Sequence, residues 1–419
     1  MRKGIFIVLC SIASFIISFE RTTPTVLYDE MANIIDQDDT KMGIYGSMYY
    51  FASFISFLLI AFLGPKIRLS YLISILLAIG ALGSLVLGFS HKFWTLCVSR
   101  FIIGFGLGPA VFVIILIFRL EHDTRTAFLS QNSLFLFDML GSLFTVGPYS
   151  SIVISNGWII PLEIFTGILI LLSIVFFFIA PNVSITYSKG NVTTLSEFDM
   201  SNRSSTGINV FKNYILALLW YVFTISGTLN LSTMWCGPYL TNFYLFTCIE
   251  SGYVMMTLFI GGMIGSLFYG LLFGKVKNSK WGRRIVQMTP NIGLIVVALA
   301  SMFLKISADF VTVIILLFSL GFFGIGPSSI MFSIISTAYS TKFHFLYGLS
   351  NSILYLVTGI LQMISSITVN HISKEKIDIE PKAFRINFWI PMAIENVLAF
   401  VCTFFITIVD GTYFALSED

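Results

Sequence analysis

The stretch GFGLGP at residues 104–109 recurs as GFFGIGP at residues 321–327. The two prolines of this repeat, Pro109 and Pro327, stand 218 positions apart. Three matches in the same order at nearly constant offset indicate that the chain consists of two similar halves. The two further matches pair QNSLF at 131–135 with SNSIL at 350–354, and WIIP at 158–161 with WIP at 389–391.

The composition around this repeat is that of a membrane protein. Hydrophobic residues make up 56% of the 419 residues and charged residues only 11%, whereas a soluble domain carries about 25% charged residues. At about 20 residues per crossing, the chain accommodates twelve apolar helices. The expected fold class is therefore an all-α polytopic membrane protein with twelve transmembrane helices in two six-helix pseudo-repeats. The apolar runs are 4–32, 42–63, 69–89, 94–118, 126–153, 158–180, 213–241, 250–274, 286–305, 309–337, 346–370 and 387–409.

One long polar segment divides the chain. It is rich in Ser, Thr and Asn and is expected to be a linker between the halves. The predicted organisation is an N-terminal half at 1–180, the linker at 181–212, a C-terminal half at 213–409 and a tail at 410–419. Because six helices separate the two copies, both halves enter the membrane in the same direction. This parallel arrangement places a substrate site between the halves, near the membrane midplane.

The distribution of Lys and Arg predicts the orientation. With the amino terminus in the cytosol, cytosolic segments hold 15 of the 24 basic residues and the opposite side holds 7, so both termini are expected to be cytosolic. The Asn-x-Ser/Thr triplets at Asn182, Asn191 and Asn202 would then lie in a cytosolic linker and carry no glycan. A cleaved amino-terminal signal peptide would leave eleven spans. Tyr413 begins a tail of the form YFAL that resembles a sorting signal, which leaves the plasma membrane and a lysosome-like organelle both open.

Several function classes find no support in the residues. The basic residues form no patch for nucleic acid, and the Cys and His residues lack metal-site spacing. Phosphate-binding loops and Ser-His-Asp patterns are also missing from the sequence, so we predict no catalytic residue, metal or cofactor. A channel would need a filter segment or a ring of pore-lining charges, and the sequence shows neither.

Two motifs resemble those of the major facilitator superfamily. Arg100-Phe-Ile-Ile-Gly104 resembles the fourth-helix Arg-x-x-x-Gly motif of that family. The loop that follows span eight is similar to its basic cytosolic loop motif, at Gly274, Gly282, Arg283 and Arg284. The resemblance implies a secondary transporter in which the first, fourth, seventh and tenth helices line the cavity. It thereby adds three candidate substrate-binding residues: Asn230, Trp235 and Ser328.

The first-half loop at 64–68 departs from the family pattern. It lacks the family's Asp and Gly-Arg-Arg, and the second copy of the loop also lacks the Asp. A cytosolic latch of the family's usual kind is therefore not expected. A non-transporting receptor or scaffold on a transporter fold remains an alternative.

Several charged residues fall inside the predicted helices, where ionisable groups usually face a cavity or one another, and four of them are site candidates. Glu20, Arg21 and Arg100 lie at similar depth and Asp138 lies near the middle of the membrane. Arg100 either forms an ion pair with Glu20 or Asp138, or binds an anionic group bidentately. Arg21 has the same two alternatives. Asp138, or else Glu20, is the candidate for proton coupling, because a carboxyl at this depth can bind and release a proton.

Small residues surround these charges. Gly104 and Gly108 share a helix face with Arg100 and are expected to let another helix approach closely. Asn132 and Asn351 occupy matching positions in the repeat and are expected to form hydrogen bonds between helices. The residues predicted to serve packing or conformational change are Gly104, Gly108, Pro109, Gly324, Gly326 and Pro327.

The residues together predict a secondary transporter for a small polar metabolite. Arg100 and Arg21 favour an organic anion or a zwitterion such as a short peptide, and both a proton-coupled symporter and a uniporter fit. A sugar or nucleoside facilitator is the other transport alternative. The expected partners are the small-molecule substrate, the lipid bilayer and, with coupling, protons; no nucleic acid or partner protein is indicated.

Overall fold

A computed structural model describes residues 2–31, 34–35, 38–64, 67–121, 124–180, 203–276, 279–303, 309–338, 343–375 and 385–406. The predicted glycosylation triplets, most of the predicted linker and the predicted tail signal lie outside these residues. The linker and tail predictions therefore stay predictions.

The described chain is almost entirely helical, which confirms the predicted fold class. Eleven of its helices are long and apolar enough to cross a membrane, and a twelfth, shorter apolar helix follows. We label them in chain order: α1 Gly4–Tyr28, α2 Asp39–Leu63, α3 Leu69–Gly88, α4 Phe93–Leu120, α5 Gln131–Asn156, α6 Ile159–Ile179, α7 Lys212–Phe243, α8 Cys248–Val276, α9 Trp281–Phe303, α10 Phe310–Ile335, α11 Phe343–His371 and α12 Asn387–Thr403.

The repeated Gly-Pro stretch interrupts the same helix in each half. In α4 the α-helix ends at Leu107 and resumes at Ala110, and in α10 it ends at Gly324 and resumes at Ser328. Proline lacks an N–H and cannot continue the helical hydrogen bonds, so each break falls at Pro109 or Pro327. Helix packing repeats as well, because α2 with α4 and α3 with α6 correspond to α8 with α10 and α9 with α12.

Two helices contain π-helical segments at the interface between the halves. They cover Thr145–Tyr149 in α5 and Leu231–Trp235 in α7. The first contains Pro148, and an inserted residue in the helical ladder is a common response to such a break. The first segment packs against α8 and the second against α1.

The halves meet most extensively along α2 and α11. At one end, Asn370 donates hydrogen bonds to Asp38 Oδ1 (2.8 Å) and Thr40 Oγ1 (2.6 Å). Towards the other end, Ser352 Oγ donates to the carbonyl oxygen of Phe54 at 3.0 Å. Contacts between α1 and α7 and between α5 and α8 complete the interface.

The two ends of the interface differ chemically. We call them the Tyr28 end and the Arg119 end, after residues of α1 and α4. At the Tyr28 end, the Gly237 N–H donates to Thr25 Oγ1 at 3.4 Å, alongside the Asn370 bonds. At the Arg119 end, the Arg119 guanidinium lies 3.9 Å from the centre of the Phe343 ring. Among the described residues, the Tyr28 end thus has side-chain hydrogen bonds between the halves, and the Arg119 end has a cation–π contact between them.

Candidate substrate site between the two halves

A cavity of about 140 Å³ lies between the two halves. It is lined by α1, α2, α4 and α5 of the first half and by α7, α10 and α11 of the second. Arg21 and Asp138 are the lining residues with a formal charge. The uncharged polar lining residues are Gln131, Asn132, Tyr221, Ser328, Ser329, Tyr347, Asn351 and Tyr355. Apolar side chains of both halves form the remainder of the wall.

Arg21 and Asp138 form an ion pair in the cavity wall. Arg21 Nη2 lies 2.7 Å from Asp138 Oδ2, and the two side chains are 13% and 9% exposed. The same Nη2 donates to Ser18 Oγ at 2.9 Å, and Ser18 in turn bonds Ser142 Oγ at 2.6 Å. A buried ion pair needs such additional hydrogen bonds to offset the loss of hydration. The network joins α1 to α5 and holds both charges at the cavity.

Several polar atoms around the cavity have no partner within the part of the chain that the structure describes. They are Arg21 Nε, Gln131 Oε1 and Ser328 Oγ, all of them buried atoms. An unsatisfied buried donor or acceptor costs about 1–3 kcal/mol. A polar ligand that supplied these partners would offset that cost, so the wall is suited to a polar molecule.

The second half contributes neutral hydrogen-bonding groups. Tyr221 donates to Asn351 Oδ1 at 3.1 Å, and Asn351 Nδ2 donates to the Tyr347 carbonyl oxygen at 2.8 Å. Asn132 of the first half lines the same cavity. Sequence analysis assigned Asn132 and Asn351 to helix contacts alone and missed their place in the wall. Their matching positions in the repeat were the available signal, because equivalent residues of two halves face a shared central space.

Arg100 contacts α1 in a way that the sequence did not predict. It forms no ion pair with Glu20 or Asp138 among the described residues; its Nη1 donates to the Glu20 carbonyl oxygen at 2.6 Å and its Nη2 to the Arg21 carbonyl oxygen at 2.7 Å. The guanidinium also lies 4.8 Å from the Tyr49 ring centre, a cation–π contact. Of the two alternatives for Arg100, the ion pair with Glu20 or Asp138 is thus not formed among the described residues, and Arg100 is not one of the cavity-lining residues.

Comparison with known proteins identifies the family. A profile of the Major Facilitator Superfamily matches residues 10–365. The chain belongs to the Major Facilitator Superfamily. No curated protein sequence matches the chain.

Two solved structures have the same fold. One similar structure is a bacterial homolog of the human lysosomal transporter Spinster in an inward-facing, unoccupied conformation, with a TM-score of 0.69, 14% identity, and coverage of 97% of this chain and 96% of that one. The occupied inward-facing form of the bacterial homolog matches with a TM-score of 0.67 at the same identity and coverage. At 14% identity this likeness concerns the fold alone.

Pro24 explains why the superfamily's fourth-helix arginine contacts backbone here. In a helix, the Glu20 carbonyl oxygen would accept from the N–H of residue 24, and proline has none. The ring of Pro24 also crowds this same carbonyl, which lies four residues before it. The Glu20 carbonyl oxygen accepts instead from Arg100 Nη1 and from Thr23 Oγ1, the latter at 2.7 Å. Arg100 is therefore one of two side chains that replace the hydrogen bond lost at the proline.

Glu20 lies behind the cavity wall. Its side chain is fully buried, and its Oε1 accepts from Ser84 Oγ of α3 at 2.8 Å. Its Oε2 has no partner among the residues described, and no basic side chain lies within ion-pair distance there. Unlike Asp138, this carboxyl is not held by a salt bridge.

Two of the three residues suggested by the superfamily resemblance lie away from the cavity. Asn230 donates to Ser365 Oγ of α11 at 3.0 Å. Trp235 is fully buried, and its ring centre lies 6.3 Å from that of Tyr28, at the Tyr28 end. Both groups pack the closed interface, so neither lines the cavity; Ser328 does.

The repeated glycines lie at close helix contacts. A Cβ at Gly104 would overlap the Tyr49 carbonyl oxygen, and one at Gly108 would overlap Ser53 Oγ. In the second half, a Cβ at Gly324 would overlap Thr228 Oγ1. A Cβ at Gly326 would come within 2.7 Å of the Gly265 backbone. Both halves therefore bring helices together at this motif.

The basic loop motif of the superfamily lies at the α8–α9 connection, where 277–278 fall outside the described residues. Gly274 has open space around its α-carbon, and Gly282 packs against Val276. Arg283 bonds through its backbone to Ser279, and the Arg284 guanidinium lies 4.9 Å from the Trp281 ring centre. These contacts stay within the loop and its flanking helices.

Proposed function

We propose that this protein is a secondary transporter that moves a small polar metabolite across a membrane by alternating access. The observation that carries the proposal is the cavity shared by both halves, with a charged pair and unpartnered polar atoms in its wall. A site at the interface can open to either side when the halves rock against each other. Breaking contacts at the Tyr28 end or at the Arg119 end would supply the two openings.

The substrate class is an organic anion or a zwitterion such as a short peptide. Arg21 supports this choice because its guanidinium lines the cavity and retains an unpartnered donor. A sugar or nucleoside facilitator is a second candidate. The amide and hydroxyl groups of Asn132, Asn351 and Tyr221 favour it, since they form hydrogen bonds with uncharged ligands.

For a proton-coupled mechanism, Glu20 is a better candidate than Asp138. Asp138 is bonded to Arg21, whereas Glu20 has only a serine hydroxyl as donor among the described residues. Protonation of Glu20 would change the charge beside Arg100 and α1. The positive-inside distribution supports both termini in the cytosol, with the Arg119 end on the cytosolic side.

Counterflow into proteoliposomes tests the transport proposal. Wild-type protein should accumulate a labelled compound selected from organic anions, amino acids, dipeptides, sugars and nucleosides. Asn351→Ala should slow that uptake, because Asn351 lines the cavity. Asn396→Ala is the matched control, since Asn396 Nδ2 also bonds a carbonyl four residues earlier (Met392, 2.8 Å) but does not line the cavity. Binding without flux in any direction would instead support a receptor.

Accumulation driven by a pH gradient tests coupling. Glu20→Gln should retain counterflow but lose gradient-driven accumulation. Glu395→Gln is the control, because Glu395 is a buried carboxyl of α12 that accepts from Ser226 Oγ at 3.4 Å, outside the cavity. Gradient-driven accumulation that survives in Glu20→Gln would show that this carboxyl is not the coupling site.

A further inference from the structure

We propose that the substrate is a zwitterion whose ammonium and carboxylate groups are adjacent, as in an α-amino acid, and that it binds alongside the Arg21–Asp138 pair. The inference rests on the proposed transport function and selects among its substrate classes. It follows from the charge balance of the wall, the spacing of the two charges and the atoms they leave unused.

The charge balance disfavours a simple anion. Arg21 contributes one positive charge and Asp138 one negative charge, and no other lining residue carries a formal charge. An anion near Arg21 would therefore also lie near the Asp138 carboxylate, at low dielectric, where repulsion between like charges is strong. A ligand with both charges gains from each side chain and avoids this repulsion.

The pair retains free bonding positions. Arg21 uses Nη2 for both Asp138 and Ser18, while its buried Nε has no partner among the described residues. Asp138 uses Oδ2, and the structure gives no hydrogen bond to its Oδ1 within the described ranges. A ligand carboxylate can accept from Arg21 and a ligand ammonium can donate to Asp138 while the pair stays intact. The ligand would then complete a four-charge ring of alternating sign.

The spacing of the charges limits the ligand. The paired atoms of Arg21 and Asp138 are 2.7 Å apart, so the complementary charges must also lie close together. In an α-amino acid both charged groups are attached to one carbon atom. In a dipeptide they are attached to consecutive Cα atoms, about 3.8 Å apart, and the intervening peptide group would need its own partners.

Apolar side chains line part of the cavity beside the pair. Ile17 lies four residues before Arg21 and Phe135 three residues before Asp138, so both share a helix face with the pair. Both line the cavity, as do Phe57 of α2 and Phe112 of α4. The ligand side chain would lie against these groups, which favours an apolar or aromatic amino acid over a charged one.

Matched ligands provide the test. Thermal unfolding of the purified full-length protein is measured with leucine, N-acetyl-leucine and leucine amide, and with the same three forms of phenylalanine. These carry both charges, only the negative charge and only the positive charge, respectively. Dileucine and glucose complete the set. The free amino acids should stabilise the wild-type protein at concentrations at least tenfold below those needed with either blocked form.

Charge variants locate the binding. Asp138→Asn removes the partner of the ammonium, so the preference should shift to the N-acetyl compound. Arg21→Gln should shift it to the amide. The double exchange Arg21→Asp with Asp138→Arg keeps the wall neutral and provides a folded variant if a single change prevents folding; it should retain the preference for the free amino acid. Glu395→Gln, outside the cavity, should leave the preference unchanged.

The outcomes separate this inference from the transport proposal. Stabilisation by N-acetyl-leucine alone, by dileucine alone or by glucose alone would overturn the adjacent-charge zwitterion while leaving a transporter of another substrate. Stabilisation by leucine that is unchanged in both single charge variants would place binding away from the pair and overturn the inference. A lack of stabilisation by any of the eight compounds would also overturn the inference. Absence of counterflow of a compound that binds would instead reject transport.

Discussion

The two halves share a helix arrangement but differ in what they bury. The first half buries four charged residues close together: Glu20, Arg21, Arg100 and Asp138. The second half buries the Glu395 carboxyl away from the cavity and builds its part of the cavity wall from neutral groups such as Tyr221 and Asn351. The repeat therefore preserves packing, while the charge is concentrated on one side. We infer that the first half selects the charge of the ligand and the second half supplies neutral hydrogen bonds.

The largest effect should come from breaking the ion pair. Arg21→Gln or Asp138→Asn leaves an uncompensated buried charge, so each should lower the free energy of unfolding by about 3–5 kcal/mol. The double variant Arg21→Gln with Asp138→Asn should lose less free energy of unfolding than the sum of the two single losses, because no charge then remains unpaired. Denaturant unfolding in detergent measures these differences.

A matched change in the second half gives the contrast. Tyr221→Phe removes only a neutral hydrogen bond to Asn351 and should cost about 0.5–1.5 kcal/mol. Equal losses for Tyr221→Phe and Asp138→Asn would contradict the contrast between a charged and a neutral part of the cavity wall.

A somewhat smaller effect should come from Arg100. Arg100→Met removes two charge-assisted hydrogen bonds to α1 carbonyls, at about 1.5–3 kcal/mol each, partly offset by the hydration cost of burying the guanidinium. We expect a net loss of about 3 kcal/mol in the free energy of unfolding. Pro24→Ala restores the N–H that the Glu20 carbonyl lacks, so the loss on Arg100→Met should shrink by about 1 kcal/mol in that background.

Pro290→Ala is the control for this cycle, because Pro290 lies inside α9, in the other half. The effects of Arg100→Met and Pro290→Ala should be additive. If the changes in the free energy of unfolding caused by Arg100→Met and Pro24→Ala were also additive, Arg100 would not compensate for the proline.

The sequence predicted the fold more completely than the site. Apolar run length and the Gly-Pro repeat depend on local sequence, so they predicted the helices and the two halves. The Arg21–Asp138 pair joins residues 117 positions apart. Whether Arg21 or Arg100 pairs with Asp138 depends on how the helices are rotated about their axes, which the sequence pattern does not give. In α7, the π-helical segment at Leu231–Trp235 shifts the helix face on which the residues from 231 onwards lie, so the position of Trp235 could not be extrapolated from the preceding turns. Asn230 precedes that segment and lies one residue past Leu229, which lines the cavity.

A third, smaller effect concerns the packing that both halves share. Gly104→Ala would push a Cβ into the Tyr49 backbone of α2, and Gly321→Ala would push one into the Leu258 backbone of α8. Each should cost about 1–3 kcal/mol through overpacking. Gly167→Ala is the control, since no atom lies within 4 Å of its added Cβ, and alanine favours the helix. Losses confined to one half would show that packing is not equivalent in the two repeats.

The smallest effect should be a shift between conformations at the Tyr28 end. Asn370→Ala removes the bonds from α11 to Thr40 of α2 and to Asp38, the residue that precedes α2. At about 1 kcal/mol, this loss should raise the population open at that end roughly fivefold. Cys236 reports the opening, because it is fully buried beside Gly237, whose N–H bonds Thr25. In a protein with its other four cysteines replaced, a water-soluble maleimide should label Cys236 about fivefold faster in Asn370→Ala.

Thr368→Ala provides the control for that shift. Its exposed hydroxyl bonds only the Ile364 carbonyl oxygen of its own helix, at 2.9 Å, among the residues described. It lies two residues from Asn370, so it tests whether any polar change at this end of α11 speeds the labelling. Because the bonds of Asn370 cross between the halves and that of Thr368 does not, only the first should change the rate. Equal rates in Asn370→Ala and the parent protein would mean that contacts other than these hydrogen bonds, such as the packing of Trp235 against Tyr28, hold this end closed.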